Sequence, residues 1–113
     1  MHASVTHSLN NHHVFGRRLK AARRRQGLAQ DKLGVLIGLD EHTASARISR
    51  YENGIHEPPV KTAQLIAVIL NVPLAYLYCE DDRLADLILK ASKLKDEQWA
   101  ALGDTLRLMH VSS

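Results

Sequence analysis

The sequence contains a single cysteine, Cys79, so no disulfide can form within the chain. That usage fits a reducing compartment. Aromatic residues are scarce: one Phe, one Trp and three Tyr among 113 residues. The core must therefore be aliphatic. No window approaches the ~18 consecutive apolar residues of a membrane span. The opening Met1-His2-Ala3-Ser4 lacks the charged-then-apolar layout of a signal peptide. A cytoplasmic protein with no membrane association is the expectation. Also missing are a Gly-rich phosphate loop, an HExxH pair and a Cys-x-x-Cys pair. Cys79 precedes the acidic run Glu80-Asp81-Asp82, a poor setting for a nucleophile, and reads as a structural residue. Neither an enzyme nor a bound cofactor is expected.

What is present is ordinary globular composition, 45% hydrophobic and 24% charged, at the length of one small domain. The charge is unevenly placed. Residues 1–79 carry ten Lys/Arg against five Asp/Glu, while residues 80–113 carry five against seven, and the two together give the net +3. Arg17, Arg18, Lys20, Arg23, Arg24 and Arg25 fall within nine residues. A basic body followed by a mildly acidic tail points to a polyanion partner for the first part. A solvated helix face is the competing account of so many arginines.

Residues 1–13 have no apolar periodicity and read as a flexible arm. Its histidines (His2, His7, His12 and His13) have no Cys, Asp or Glu among them, so no metal site is expected. From Val14 the spacing is helical. Phe15, Leu19 and Ala22 form one stripe, and Gly27 ends the helix. A second helix spans about Gln30 to Ile37, with Leu33 and Ile37 inward and Gly38 as its stop. Gly34, in its middle, costs about 1 kcal/mol against Ala and implies a close helix approach. A third helix is expected from Asp40 as N-cap to Glu52, with Ala44, Ile48 and Tyr51 buried and Asn53-Gly54 as terminator. A proline opens the fourth helix, where Val60, Ala63, Ile66, Ala67 and Leu70 form the buried stripe. Asn71 stops it, and Pro73 begins a fifth holding Leu74, Leu77 and Tyr78. Leu84, Leu87, Ile88, Ala91 and Leu94 continue the pattern. Asp96 is then the expected cap of a last helix bearing Trp99, Leu102, Leu106 and Met109. No stretch alternates as a half-buried strand requires, so the fold class is all-α.

Two short helices joined by a tight turn, the second presenting small polar and basic residues, form the helix-turn-helix design. The runs FGRRLKAARRRQGLAQDKLG, ISRYENG, EPP and LIAVILNVPLAYLY, over about residues 14–78, resemble the Cro/cI-like (xenobiotic response element, XRE) helix-turn-helix family. The resemblance implies a five-helix, lambda-repressor-like bundle over residues 14–79, whose third helix enters the major groove of double-stranded DNA. It implies that Gln30 binds a backbone phosphate and braces the recognition helix. The recognition positions would be Ser45, Ala46, Arg47, Ser49 and Arg50, with Asn53 near phosphate and Glu52 a structural polar group. Ala29 departs from the family's Ser or Thr, removing a helix cap. Nine residues, LDEHTASAR, separate Gly38 from Ile48, where the pattern commonly has about five; the surplus is close to one helical turn. They are expected to lengthen the recognition helix at its start and bring Thr43 toward DNA. A longer loop is the competing reading.

Chemistry divides the basic residues. A guanidinium can pair bidentately with guanine, which makes Arg50 the candidate base reader and Arg47 a phosphate clamp. Arg17 and Arg18, near the start of the first helix, are possible phosphate contacts. Residues 80–113 form a helical extension whose Leu84, Leu87, Ile88, Trp99, Leu102 and Leu106 exceed what two short helices can bury against each other. They fold back on the bundle or, as expected here, form a two-fold dimer interface. The expected function is a sequence-specific DNA-binding transcriptional regulator, a homodimeric repressor. Two other readings are an antitoxin that represses its own operon, with a toxin as protein partner, and a protein-binding adaptor that has lost DNA binding.

Overall fold

Left-handed residues close the first four helices: Gly27 at φ 65°, Gly38 at φ 93°, Gly54 at φ 73° and Asn71 at φ 57°. The computed structural model describes residues 13–109, and the expected arm, His13 apart, lies outside them. Every regular element among the described residues is helical. In chain order these are α1 (Val14–Arg25), α2 (Gln30–Leu36), α3 (Ala44–Glu52), α4 (Val60–Leu70), α5 (Leu74–Tyr78), α6 (Asp82–Ala91) and α7 (Asp96–Leu108).

Leu19, Leu33, Ile48, Ile66, Leu70 and Leu77 are the largest fully buried side chains, one or two from each of α1 to α5. Phe15, Ala22, Ala44, Tyr51, Ala63 and Ala67 complete the expected stripes. Two positions differ. Val60 is exposed, because it stands at the first position of α4, just after the Pro59 cap and beyond the packed turns. In α5 the buried tyrosine is Tyr76 rather than Tyr78. Tyr76 sits beneath two cations, the guanidinium carbons of Arg18 and Arg25 lying 5.7 and 5.9 Å from its ring centre. Tyr78 instead tilts against Phe15 at 5.2 Å and stays partly exposed. Burial, and then the charge of Glu57, raises the pKa of its phenol above the ordinary value.

Two glycines set the distances between helices. A Cβ on Gly34 would come within 2.9 Å of the Ala44 Cα, so α2 and the start of α3 touch backbone to backbone. This is the close approach expected at that position. A Cβ on Gly16 would lie 2.6 Å from the Tyr51 carbonyl oxygen and overlap that of Glu52. Thus α1 crosses directly over the end of α3.

The recognition helix does not gain a turn at its start. Asp40 to Thr43 instead form a closed turn: the Thr43 amide donates to the Asp40 carbonyl (3.0 Å) and the His42 amide to the Asp40 carboxylate (2.8 Å). Asp40 caps this turn rather than the helix, its side chain accepting from the backbone two residues on, as Asp does in turns. With Ala44 fixed against Gly34, α3 begins there.

The extension is not one unit. Ala85 of α6 is buried, and Ile88 and Leu89 pack against the bundle core. The expected boundary after Cys79 therefore runs between packed elements, and Ile88 serves the core rather than a dimer face. Leu84 and Leu87 point away and are about half exposed. Asp81 starts α6, its carboxylate accepting from the Arg83 (2.8 Å) and Leu84 (3.1 Å) amides. α7 buries no residue. Its geometric N-cap is Lys95, whose amide donates to the Gln98 side chain at 2.8 Å, and Asp96 is the first helical residue rather than the cap.

Two outcomes follow from these contacts. Gly16→Ala forces α1 off the end of α3, and overpacking of this kind costs about 1–3 kcal/mol. Thermal denaturation should show a lower midpoint, with Gly103→Ala, where the added Cβ meets only an ordinary 3.8 Å contact with Arg107 Nη1, as the control. The Leu84 and Arg83 amides hold the Asp81 carboxyl below its usual range. A depressed folded value gives stability that is present above the unfolded pKa and lost as pH falls through the folded one. Acid should therefore loosen the first turn of α6, read by hydrogen exchange of the Leu84 amide. Asp81→Asn, which still caps but does not titrate, should remove that pH dependence.

Candidate nucleic-acid interface

The carboxylate of Glu52, at the end of α3, is buried, with 2% of its side chain exposed. Such a charge is tolerated only when paired and hydrogen-bonded. Arg23 of α1 supplies the pair through Nε to Oε2 at 2.5 Å and Nη2 to Oε1 at 3.1 Å. The third donor of Arg23, Nη1, reaches the Leu28 carbonyl in the α1–α2 turn at 2.9 Å. Gln30, the first residue of α2, donates Nε2 to Glu52 Oε1 at 3.0 Å. Its Oε1 accepts from the Ser45 hydroxyl at 3.3 Å. One chain of polar contacts thus runs from α1 through both ends of α3 and the start of α2. The bracing expected of Gln30 is present in this form.

Held in this way, α3 turns Ser45, Ala46, Arg47, Arg50 and Asn53 outward, with Ser49 half-buried between them. The Asn53 side chain donates back to the Ser49 carbonyl (2.9 Å) and hydroxyl (3.2 Å). This ties together the last turn of the exposed face. Thr43, just ahead of α3, is exposed and donates its hydroxyl to the Asp40 carbonyl at 3.3 Å. Arg47 and Arg50 share a shallow cleft with Tyr51, His56, Glu57 and Pro59. His56, exposed beside Arg50, was not singled out in the sequence. Its signal is only its place two residues after the Asn53-Gly54 stop.

The basic run of α1 divides between tasks. Arg17 is exposed near its start, whereas the Arg18 side chain is only 11% exposed. Arg18 donates to the Cys79 carbonyl (2.9 Å), the Glu80 carbonyl (3.1 Å) and the Asp82 carboxylate (2.9 Å). It is committed to the junction with α6 and is not a phosphate contact. Arg23 is committed to Glu52, and Arg25 lies against Tyr76. Of the expected dimer residues, Leu84, Leu87, Trp99 and Leu106 are exposed and Leu102 is half-buried. Among the described residues no group of His, Cys, Asp and Glu could hold a metal ion. No helix among them is long and apolar enough to cross a membrane.

Comparison with curated proteins gives no match. Among solved structures, the crystal structure of the transcriptional regulator BswR is similar, with 48% sequence identity and a TM-score of 0.80. The match covers 82% of this chain and 92% of that one, a longer stretch than the bundle of α1 to α5 alone. A family model described as Helix-turn-helix matches residues 19–77. That span takes in most of α1, the polar chain centred on Glu52, the whole of α3 and the core of α4 and α5. By these residues the chain belongs to the helix-turn-helix family, of the Cro/cI-like (XRE) type that its sequence resembles.

Proposed function

We propose that this protein is a sequence-specific DNA-binding transcriptional regulator, a cytoplasmic repressor that binds its operator as a homodimer. The observation that carries the reading is the division of the arginines. Arg18 and Arg23 are spent inside the molecule, while Arg47 and Arg50 stand exposed on α3 among small polar residues. A helix face of that kind fits the major groove, where small side chains allow close approach and guanidinium groups reach base edges or phosphates.

Arg50 reads a guanine, and Arg47 clamps phosphate. Gln30, Thr43 and Asn53 hydrogen-bond the backbone around α3, Ser45, Ala46 and Ser49 line the base edges, and Arg17 adds a phosphate contact from α1. A single helix of this size reads few base pairs, so selectivity calls for two copies on a two-fold site. The exposed Leu84, Leu87, Trp99 and Leu106 supply an apolar surface for that pairing.

Binding should weaken linearly in log affinity against log salt, as release of phosphate counterions requires. Arg47→Ala should weaken all duplexes alike and reduce that slope by about one. Arg50→Ala should relax selection at one base position at a cost of about 1–3 kcal/mol there. Selection from random duplexes followed by titration at several salt concentrations measures all three. Wild-type behaviour of both variants would place recognition elsewhere. Sedimentation of the full chain at micromolar concentration should give a dimer, and a monomer would overturn the homodimer reading.

A further inference from the structure

Hydrogen-bond direction along the polar chain of α1, α2 and α3 is fixed at one end. The Glu52 side chain is 2% exposed, and a carboxylate only accepts. Its Oε1 takes Nη2 of Arg23 at 3.1 Å and Nε2 of Gln30 at 3.0 Å. The Gln30 amide is therefore held with its nitrogen toward Glu52 and its oxygen toward the start of α3. Turned over, it would set oxygen against oxygen beside a buried charge. An amide oxygen also only accepts. The Ser45 hydroxyl, 3.3 Å from Gln30 Oε1, is thus the donor of that contact.

A serine hydroxyl has one proton and two lone pairs. With the proton committed to Gln30, Ser45 keeps acceptor capacity alone. No α3 carbonyl competes for that proton, because the residues three and four before Ser45 are His42 and Glu41, ahead of the helix. Ser49, on the same helix, has a different setting. Its hydroxyl accepts from Asn53 Nδ2 at 3.2 Å, and its proton lies outside the chain that starts at Glu52.

Ser45 is exposed and is the second residue of α3, and the N-terminal residues of a recognition helix are those that meet base edges. In the major groove adenine and cytosine offer an exocyclic amine, whereas thymine and guanine offer a carbonyl oxygen. Each base pair shows one of each on opposite strands, so an acceptor in a fixed place senses which strand carries the amine. Turning the Ser45 proton to a base carbonyl would leave Gln30 Oε1 without its donor inside a closed interface, where an unmade hydrogen bond is costly.

We propose that Ser45 accepts a hydrogen bond from the exocyclic amine of an adenine or cytosine, and that Gln30 is the positioning residue that sets this polarity from Glu52. This rests on the DNA-binding reading above and adds the chemical group that α3 takes at its start. Selection from random duplexes by the full chain locates the base pair, as the one at which Ser45→Ala loses preference. There, removing the amine, with purine for adenine or 2-pyrimidinone for cytosine, should weaken the wild type about fivefold more than Ser45→Ala. Removing the carbonyl oxygen of the opposite base, with 5-methyl-2-pyrimidinone for thymine or 2-aminopurine for guanine, should weaken the two proteins alike. Comparing the proteins on each duplex cancels the pairing bond that the analogue itself loses. Gln30→Met, similar in length but without the amide, releases the Ser45 proton, and its added sensitivity to amine removal should fall below about twofold. Selection at the position that Arg50→Ala relaxes should persist in this variant, which a general loosening of α3 would not allow. Should Gln30→Met misfold, Gln30→Lys keeps a donor for Glu52, offers no acceptor to Ser45 and should behave in the same way. A wild-type protein that selects no sequence overturns the DNA-binding reading and this contact with it. An operator on which Ser45→Ala changes no position overturns the contact alone. Greater wild-type sensitivity to loss of the carbonyl oxygen than of the amine overturns the polarity. Amine sensitivity that the Gln30 variant retains in full overturns the part assigned to Gln30.

Discussion

The arrangement of the first three helices depends on one buried carboxylate. Glu52 lies at the end of α3, yet its oxygens are held from α1 by Arg23 and from α2 by Gln30. Withdrawing two charges from water is costly, and a buried pair of this sort is weak as a source of stability. What it supplies is position. The main chain of the same residue lies against Gly16, so α1 grips Glu52 by both its side chain and its carbonyl. Apolar packing around Leu19, Leu33 and Ile48 would tolerate small rotations of α3. The directional bonds to Glu52 do not, and the outward aim of Arg47 and Arg50 follows from them.

The same economy governs the charges. Six cations within residues 17–25 suggest a broad basic surface, but three of the five arginine side chains in that run, Arg18, Arg23 and Arg25, serve the fold itself. Arg18 and Arg25 are seven apart, hence on one face of α1, and both meet the Tyr76 ring. Arg18 also holds the chain where α5 passes into α6. Net charge in the sequence therefore overstates the charge offered to a polyanion. Arg17 and Arg24 of α1 stay exposed beside Arg47 and Arg50 of α3.

Helix ends were legible because their signals are local: Gly27, Gly38, Gly54 and Asn71 stop helices wherever they occur in such a pattern. The core stripes of α1 to α4 were legible from spacing, Val60 apart. Gly34 announced its close approach by standing in mid-helix, whereas Gly16, near a helix start, gave no comparable warning. In α6 the core-facing side is not legible, because Leu84, Ala85, Leu87, Ile88 and Leu89 surround much of the helix. Periodicity then cannot say which side faces the bundle, and the small Ala85 is the residue that fits closest. In the interface, the residue types of α3 were readable, but the capture of Arg18 and Arg23 was not. Their partners lie 64 and 29 residues away in sequence.

The closed turn at Asp40–Thr43 bears on how the chain tolerates change in length. Because Ala44 is pinned to Gly34, residues added or removed between Leu39 and Thr43 are taken up before α3 begins. The rotational phase of α3 about its own axis is left alone. A helix lengthened by four residues would have had to advance 400° of winding at its leading end and carry new side chains into the groove. Here the surplus is a closed turn ahead of α3, so the face that carries Arg47 and Arg50 keeps its phase against the bundle.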